Sequence, residues 1–436
     1  MCVMLTLCYT LASWSAEFVS NGIKYSINNN GTSVTVVANT YEGDIVIPAT
    51  VESGGTTYNV TAIGNSAFSG CKDMTSITLN EGLATIGNYA FQNCEKLKTL
   101  TLPNSVTGIG GEMCVNCKLL ESVVIGDGLK SIPYRAFYGL GSLESVTFGS
   151  KVETIGQQAF ADCIYLEDVE FPNSLVTISL GAFNGCKSFH NVTIPSSVRA
   201  IENSAFAYCT NMVSITLNEG VETIGNYAFQ NCEKLKTLTL PNSVTGIGGE
   251  ICVNCKALES VVIGDGLKSI PYRAFYGLGS LESVTFGSKV ETIGQQAFAG
   301  CSFIKTIQCF NQRPATWSSL NDTFSSSIYS TCELYVPEGK ADTYREADGW
   351  KNFSNIKEGE PTGIENAIGD KHIKAYSANG TIIVVSEIPN LPITVFTIDG
   401  KKEATGKTVA GKTELYVHST GIHVVKVGTT TIKVIL

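Results

Sequence analysis

Two Cys-x-x-Cys pairs, Cys114-Val-Asn-Cys117 and Cys252-Val-Asn-Cys255, carry the spacing of zinc sites and thiol–disulfide exchange. Their phase argues against both chemistries. Cys71, Cys94, Cys117, Cys163, Cys186, Cys209, Cys232, Cys255 and Cys301 share one column, repeated every 23 residues, and Leu140 and Leu278 fill that column in the remaining places. A position that accepts leucine asks for a buried apolar group, and free cysteine packs as a small hydrophobe. Cys114 and Cys252 stand in the phenylalanine column. The pairs therefore read as core positions, with no metal ligand set. Identically directed column members are poorly aimed for disulfides. Cys309 and Cys332, beyond the last repeat, are candidate disulfide partners in a C-terminal cap.

No other constellation takes their place. His190, His372, His418 and His423 make no metal-spaced pair with carboxylates, and no G-x-S-x-G elbow or phosphate loop occurs. Glu121, Glu144 and Glu167 recur at one repeat position and read as a solvated strand edge. The glycine after each repeat isoleucine gives way to Pro133, Ser179, Glu202 and Pro271, so it does not demand a left-handed backbone. No catalytic, metal or cofactor-binding residue is assigned, and the expectation is a protein without enzymatic activity or cofactor. A net charge of −9 argues against a nucleic-acid partner. No apolar run beyond the N-terminus is long enough for a membrane span.

The positioning element is the repeat. Val60, Leu83, Val106, Leu129, Val152, Leu175, Val198, Val221, Val244, Leu267 and Val290 form one column, each followed three residues later by isoleucine. In the unit 83–105, Leu97, Leu100 and Leu102 suit a half-buried strand. Ala90, Phe91 and Cys94 suit a helical or 3₁₀ turn filling the core. A unit alone cannot bury these residues; stacking gives a continuous ribbon of core. Eleven units at strand spacing make a stack of roughly 50 Å. The pattern V-x-x-I-G-x-x-A-F-x-x-C-x-x-L-x-x-[VIL]-x-[LIF]-P resembles the 23-residue leucine-rich repeat of the BspA-like, or Treponema pallidum type, family over about residues 58–308. The resemblance implies a right-handed leucine-rich-repeat solenoid with a parallel β-sheet. It also implies a bacterial surface or secreted binding protein.

Residues 76–163 and 214–301 match at all but five positions, an offset of six units. Copying a wall lengthens a binding surface, which favours multivalent contact over catalysis. On the predicted concave strand face, short polar residues alternate with the inward ones. The candidate ligand surface is Thr99, Thr101, Ser145, Thr147, Asp168, Glu170, Asn191, Thr193, Thr237, Thr239, Ser283 and Thr285. Threonine also suits any strand. Tyr134, Tyr138, Tyr272 and Tyr276 fall in the turn region, as anchors or as packing.

The ends complete the layout. Residues 1–16 read as an apolar export segment, 17–57 as an N-terminal β cap, 309–358 as a C-terminal cap and 359–370 as a linker. Residues 371–436 show short alternating runs, the pattern of a small all-β sandwich. Val395–Lys401, Thr420–Val427 and Lys433-Val434 resemble the C-terminal sorting domain of type IX secretion, implying outer-membrane passage. The expected role is a secreted or cell-surface, adhesin-like protein that recognises a host or bacterial surface protein. Glycan binding and a structural spacer displaying the terminal module are the alternatives.

Overall fold

The computed structural model describes residues 16–319 and 322–359, and in the C-terminal region 373–378, 381–386, 391–397, 401–409, 411–417, 422–427 and 430–435. Residues 1–15, His372, His418 and most of the linker lie outside the described residues. The chain divides into two units, residues 1–359 and 360–436. The first is a parallel β-solenoid of about 14 turns.

Every repeat coil but the one at 168–170 carries the strand that its leucine spacing dictates. Thr99–Thr101 pairs in parallel with Ser122–Val124, which pairs with Ser145–Thr147, and every partner lies 23 residues away. The inward residues Leu100, Val123 and Val146 are buried. A second parallel ladder runs on another side of each coil, built from Thr-Ile pairs such as Thr154-Ile155 on Thr177-Ile178. The isoleucine column faces the core from this ladder, with Ile132, Ile155 and Ile178 fully buried.

The Ala-Phe-x-x-Cys segment is a run of tight turns, not a helix. Its bonds do reach i+3: the Cys94 N–H donates to the Phe91 carbonyl at 3.2 Å and the Leu97 N–H to the Cys94 carbonyl at 3.3 Å. A helix is blocked because two residues per coil are left-handed, Tyr89 (φ 56°) and Asn93 (φ 60°) in the type unit. The same two columns recur in all the repeats, from Ser66 and Gly70 to Gln296 and Gly300. The second column is mostly Gly, Asn and Asp, which adopt this conformation at least cost. With the chain so bent, the Phe91 N–H reaches the Met113 carbonyl of the next coil at 2.9 Å. The repeat glycine Gly87 is not among the left-handed residues, in line with the proline and glutamate that replace it elsewhere.

Stacking fills the core with like on like. Phe160, Phe183 and Phe206 stack with centroids 5.5 Å apart at each step. Cys114 and Cys252 interrupt this column, and Met113 and Ile251 stand beside them where other units have alanine. Those four residues are fully buried. The larger neighbour supplies the volume the ring would have filled.

The ladders have seams. The Thr-Ile ladder stops between Ile109 and Ser131 and again between Ile247 and Ser269. At both places the next coil offers proline, Pro133 or Pro271, which has no N–H to donate. The principal ladder stops elsewhere: between Met74–Leu79 and Thr99–Thr101, on either side of residues 168–170, and between Ser214–Leu217 and Thr237–Leu240.

Both ends of the stack are closed. At the N-terminus, Glu17–Ser20, Ile23–Ile27 and Ser33–Val36 form an antiparallel meander whose last strand joins the stack in parallel with Thr56–Ile63. At the C-terminus, the helix Ala341–Glu346 and a cluster including Trp317, Phe324, Tyr344, Trp350 and Phe353 cover the last coils. The Trp350 indole N–H donates to the Ala315 carbonyl at 2.7 Å.

Carboxylates tie coils together at the surface. Glu81 accepts from the backbone N–H of Asn104 (3.0 Å) and Ser105 (2.9 Å), and Asp127 from that of Ser150 (2.6 Å). These hydrogen bonds hold both carboxyls below their ordinary range. A carboxyl depressed in the folded state stabilises fully above its unfolded value, and that contribution fades as pH falls through its folded value. The unfolding temperature is therefore expected to drop as pH goes below the ordinary carboxylate range. A Glu81→Gln/Asp127→Asn chain should show a shallower drop in thermal scans from pH 7 downward.

The second unit is all-β. Ile373–Ala378, Thr381–Ser386 and Gly411–Tyr416 form one antiparallel sheet. Lys402–Lys407, Pro392–Thr397, Ile422–Val427 and Thr430–Ile435 form another. Ile382 and Val384 from the first sheet meet Ile393, Val395, Val425 and Val427 from the second in one core, the sandwich expected from the alternation. His423 is fully buried, with Nε2 3.0 Å from Glu403.

Candidate functional site

The proposed strand-face residues all lie outward in the structure, alternating with buried partners. Thr99, Thr101, Ser145, Thr147, Asn191 and Thr193 are exposed; Thr237, Thr239, Ser283 and Thr285 are half-buried. They align along the stack in register, Asn191 beside Ser214 and Ser260 beside Ser283. Their hydroxyls also bond along it: Ser214 Oγ donates to Asn191 Oδ1 at 2.8 Å, and Ser283 Oγ to Ser260 Oγ at 2.9 Å. The face is thus a pre-ordered polar surface rather than a set of independent side chains.

The residues do not form one continuous ladder. Asp168 and Glu170 sit in the coil where the principal strand is missing. There the Asp168 carboxylate replaces ladder bonds, accepting from the N–H of His190 at 2.6 Å and of Asn191 at 3.0 Å. The interruption opens a shallow cleft of about 490 Å³, lined by Asp168, Glu170, Asn173, Asn191, Thr193 and Asn218 among others. Apart from Asn218, these residues belong to the unduplicated segment 164–213, between the two copied blocks. The structure thus brings Asp168, Glu170, Asn191 and Thr193 together and spreads the other candidates along the rod.

The cysteines are packing groups with one polar role the sequence did not reveal. The described cysteines are buried free thiols, Cys309 and Cys332 included. From Cys94 onward each thiol of the column donates to the carbonyl of the phenylalanine 26 residues earlier, as Cys94 to Phe68 (3.2 Å), Cys117 to Phe91 (3.0 Å) and Cys186 to Phe160 (3.2 Å), whereas Cys71, in the first coil, donates to the Asn39 carbonyl. Burial pushes the Cys163 and Cys301 thiols up to about 12, which keeps them protonated donors. Cys114 and Cys117 occupy the phenylalanine and cysteine columns respectively, and the Cys-x-x-Cys spacing follows from that. Among the described residues no group of three or more His, Cys, Asp or Glu side chains could hold a metal ion.

Exposed aromatic rings sit off the strand face. Tyr89, Tyr134, Tyr208, Tyr227, Tyr272 and Tyr276 are exposed on the turn side of the coils. Tyr134, Tyr138, Tyr272 and Tyr276 are visible in the sequence as turn residues. The arginines beside them carry no signal until the coils are stacked.

Comparison with known proteins fits this geometry. The BspA type leucine-rich repeat region matches in six copies, over residues 50–166, 130–259 and 223–334. Comparison with curated proteins gives no match. A leucine-rich repeat protein from Bacteroides ovatus is similar in structure, with 22% identity and a TM-score of 0.55 over 79% of this chain and 100% of that one. A leucine-rich cell surface protein from Faecalibacterium prausnitzii aligns with 23% identity and a TM-score of 0.46, over 79% of this chain and 95% of that one. The pneumococcal vaccine antigen PcpA aligns with 20% identity and a TM-score of 0.41, over 80% of this chain and 99% of that one. At these identities the likeness is one of fold, and it rests on the first of them. With the family match spanning more than half of the chain, the protein belongs to the BspA type leucine-rich repeat family.

Proposed function

We propose that the chain is an exported surface protein that recognises a host or bacterial surface protein by multivalent contact along its solenoid, without catalysis. The observation that carries this reading is the register of the strand face. Polar side chains recur every 23 residues on a rigid backbone, so many weak contacts add at little entropic cost. The 23-residue period, kept through all eleven units, supports a non-enzymatic role. We place the N-terminal cap at 17–57, the repeats at 58–308 and the C-terminal cap at 309–358. The sandwich from 371 to 436 serves as the sorting module that its sequence resembles.

The test uses fibronectin, fibrinogen and collagen immobilised separately. Thr99→Lys, Thr147→Lys and Thr285→Lys together leave the core untouched and are expected to weaken binding of the full chain by tenfold or more. Unchanged binding by the triple variant would sink the strand-face reading.

A further inference from the structure

Two copies of one aromatic–guanidinium cluster stand on the turn side of the solenoid. In the first, the Arg135 guanidinium lies 5.0 Å from the Tyr134 ring centre and 4.7 Å from that of Tyr138. Its Nε donates to Gln158 Oε1 at 2.7 Å, and the Glu112 carboxylate lies 4.0 Å away. In the second, Arg273 stands 5.0 Å from Tyr272 and 4.7 Å from Tyr276, with Glu250 at 3.8 Å and Gln296 at 2.5 Å. Tyr134 is 42% exposed and Tyr272 48%. Each ring is thus held by a cation yet open to solvent, a preorganised aromatic surface.

A side chain at Gly111 would come within 2.9 Å of the Tyr134 carbonyl, and one at Gly249 within 2.8 Å of the Tyr272 carbonyl. The glycines let the backbone of the tyrosine-bearing coil approach closely at each cluster.

We propose that the two clusters are paired subsites for a neutral, repeating polysaccharide, each stacking one sugar ring on its exposed tyrosine. A pyranose has an apolar face for the ring and hydroxyl edges for the amide and carboxylates around it. The rim groups Glu112 and Gln158, like Glu250 and Gln296, are polar, which suits sugar hydroxyls better than an apolar protein anchor. The chain's net charge of −9 disfavours sulfated or uronic-acid polymers. The clusters lie six coils apart, about 29 Å along the stack at strand spacing. A repeating polymer offers the same sugar face at both places, which suits two copies of one cluster. One difference separates them: Asp162, which raises the Tyr138 hydroxyl's pKa by hydrogen bonding, is Gly300 in the second copy.

This inference does not rest on the strand-face reading, and its test separates the two. The full chain is run by affinity electrophoresis in gels containing yeast mannan, xylan, mixed-linkage β-glucan or chondroitin sulfate, beside binding to the immobilised matrix proteins. At least one neutral polymer is expected to retard it, and chondroitin sulfate is not. Tyr134→Ser or Tyr272→Ser alone should cost tenfold or more in apparent affinity, and both together should abolish retardation. Tyr165→Ser, at an exposed ring outside the clusters, should change nothing. Phenylalanine at both cluster positions keeps the ring and should keep retardation, which separates stacking from any loss of fold. Retardation by none of the neutral polymers overturns the proposal, as does retardation that survives the double serine variant. Loss of matrix-protein binding in that variant, without polysaccharide retention, overturns it in favour of a protein ligand.

Discussion

A chain lacking residues 76–213 is expected to fold and, on the reading proposed above, to bind immobilised fibronectin, fibrinogen or collagen roughly 10²- to 10⁴-fold more weakly than the full chain, the range over which linked contacts exceed single ones. The deletion joins Thr75 to Ser214 and removes six repeats in phase. Because residues 76–163 and 214–301 differ at only five positions, the first coil meets a neighbour almost identical to its own. Leu83 becomes Val221 and Met74 stays in place, so the new junction opens no large cavity. The rod shortens by about 29 Å, and the caps are untouched. Circular dichroism per residue and the thermal transition check the fold, and surface plasmon resonance reads the affinity. Equal binding by the short form would end the multivalent reading. The deletion also removes the cleft at Asp168 and Glu170, so Asp168→Asn/Glu170→Gln in the full chain is the companion variant. A loss there as large as in the deletion would assign binding to the cleft and not to length.

Phe183→Ala is expected to destabilise the solenoid by about 3–5 kcal/mol, the range for truncating a buried ring. Phe183 is fully buried. Its ring stacks on Phe160 and Phe206 at 5.5 Å and also meets Phe171 at 5.5 Å and Phe189 at 5.6 Å. Contacts come from both neighbouring coils, so the cavity cannot close by moving one of them. Urea unfolding followed by tyrosine and tryptophan fluorescence gives the loss. The chain itself suggests a rescue: where it replaces phenylalanine by Cys114 or Cys252, it replaces the adjacent alanine by Met113 or Ile251. Ala182→Met combined with Phe183→Cys should therefore recover part of the stability lost by Phe183→Cys alone. No recovery would mean that the volume exchange seen at coils 113 and 251 depends on their seams.

The sequence made the principal ladder and core legible because a 23-residue period aligns every inward residue with its equivalent. The Thr-Ile ladder was not legible: two residues per coil are too few to show alternation, and the isoleucine column alone does not say strand. The Ala-Phe-x-x-Cys segment read as a helical turn because its apolar spacing matches one face of a helix. The Asn and Gly recurring at Asn93, Asn116 and Gly139 were the available signal for a left-handed turn, whereas Tyr89, Glu112 and Arg135 in the other column gave none. Of the site, the outward strand positions followed from alternation. The cleft did not, because the loss of the strand at 168–170 comes from Asp168 taking over the backbone of His190 and Asn191. The clusters around Arg135 and Arg273 join residues one period apart, Glu112 with Arg135 and Arg135 with Gln158, and emerge only when the columns are stacked.

The staggered seams have a mechanical consequence. Across the junction from residues 99–109 to 122–132, and across that from 237–247 to 260–270, the Thr-Ile ladder is cut while the principal ladder is whole. Where the principal ladder is cut, at 79, 147, 171 and 217, the Thr-Ile ladder runs through. Among the described repeats no junction loses both, as courses of brick are laid so that no joint runs straight through the wall. Pulled from its ends, such a rod can gape on one side and pivot on the other, but it has no plane along which to part.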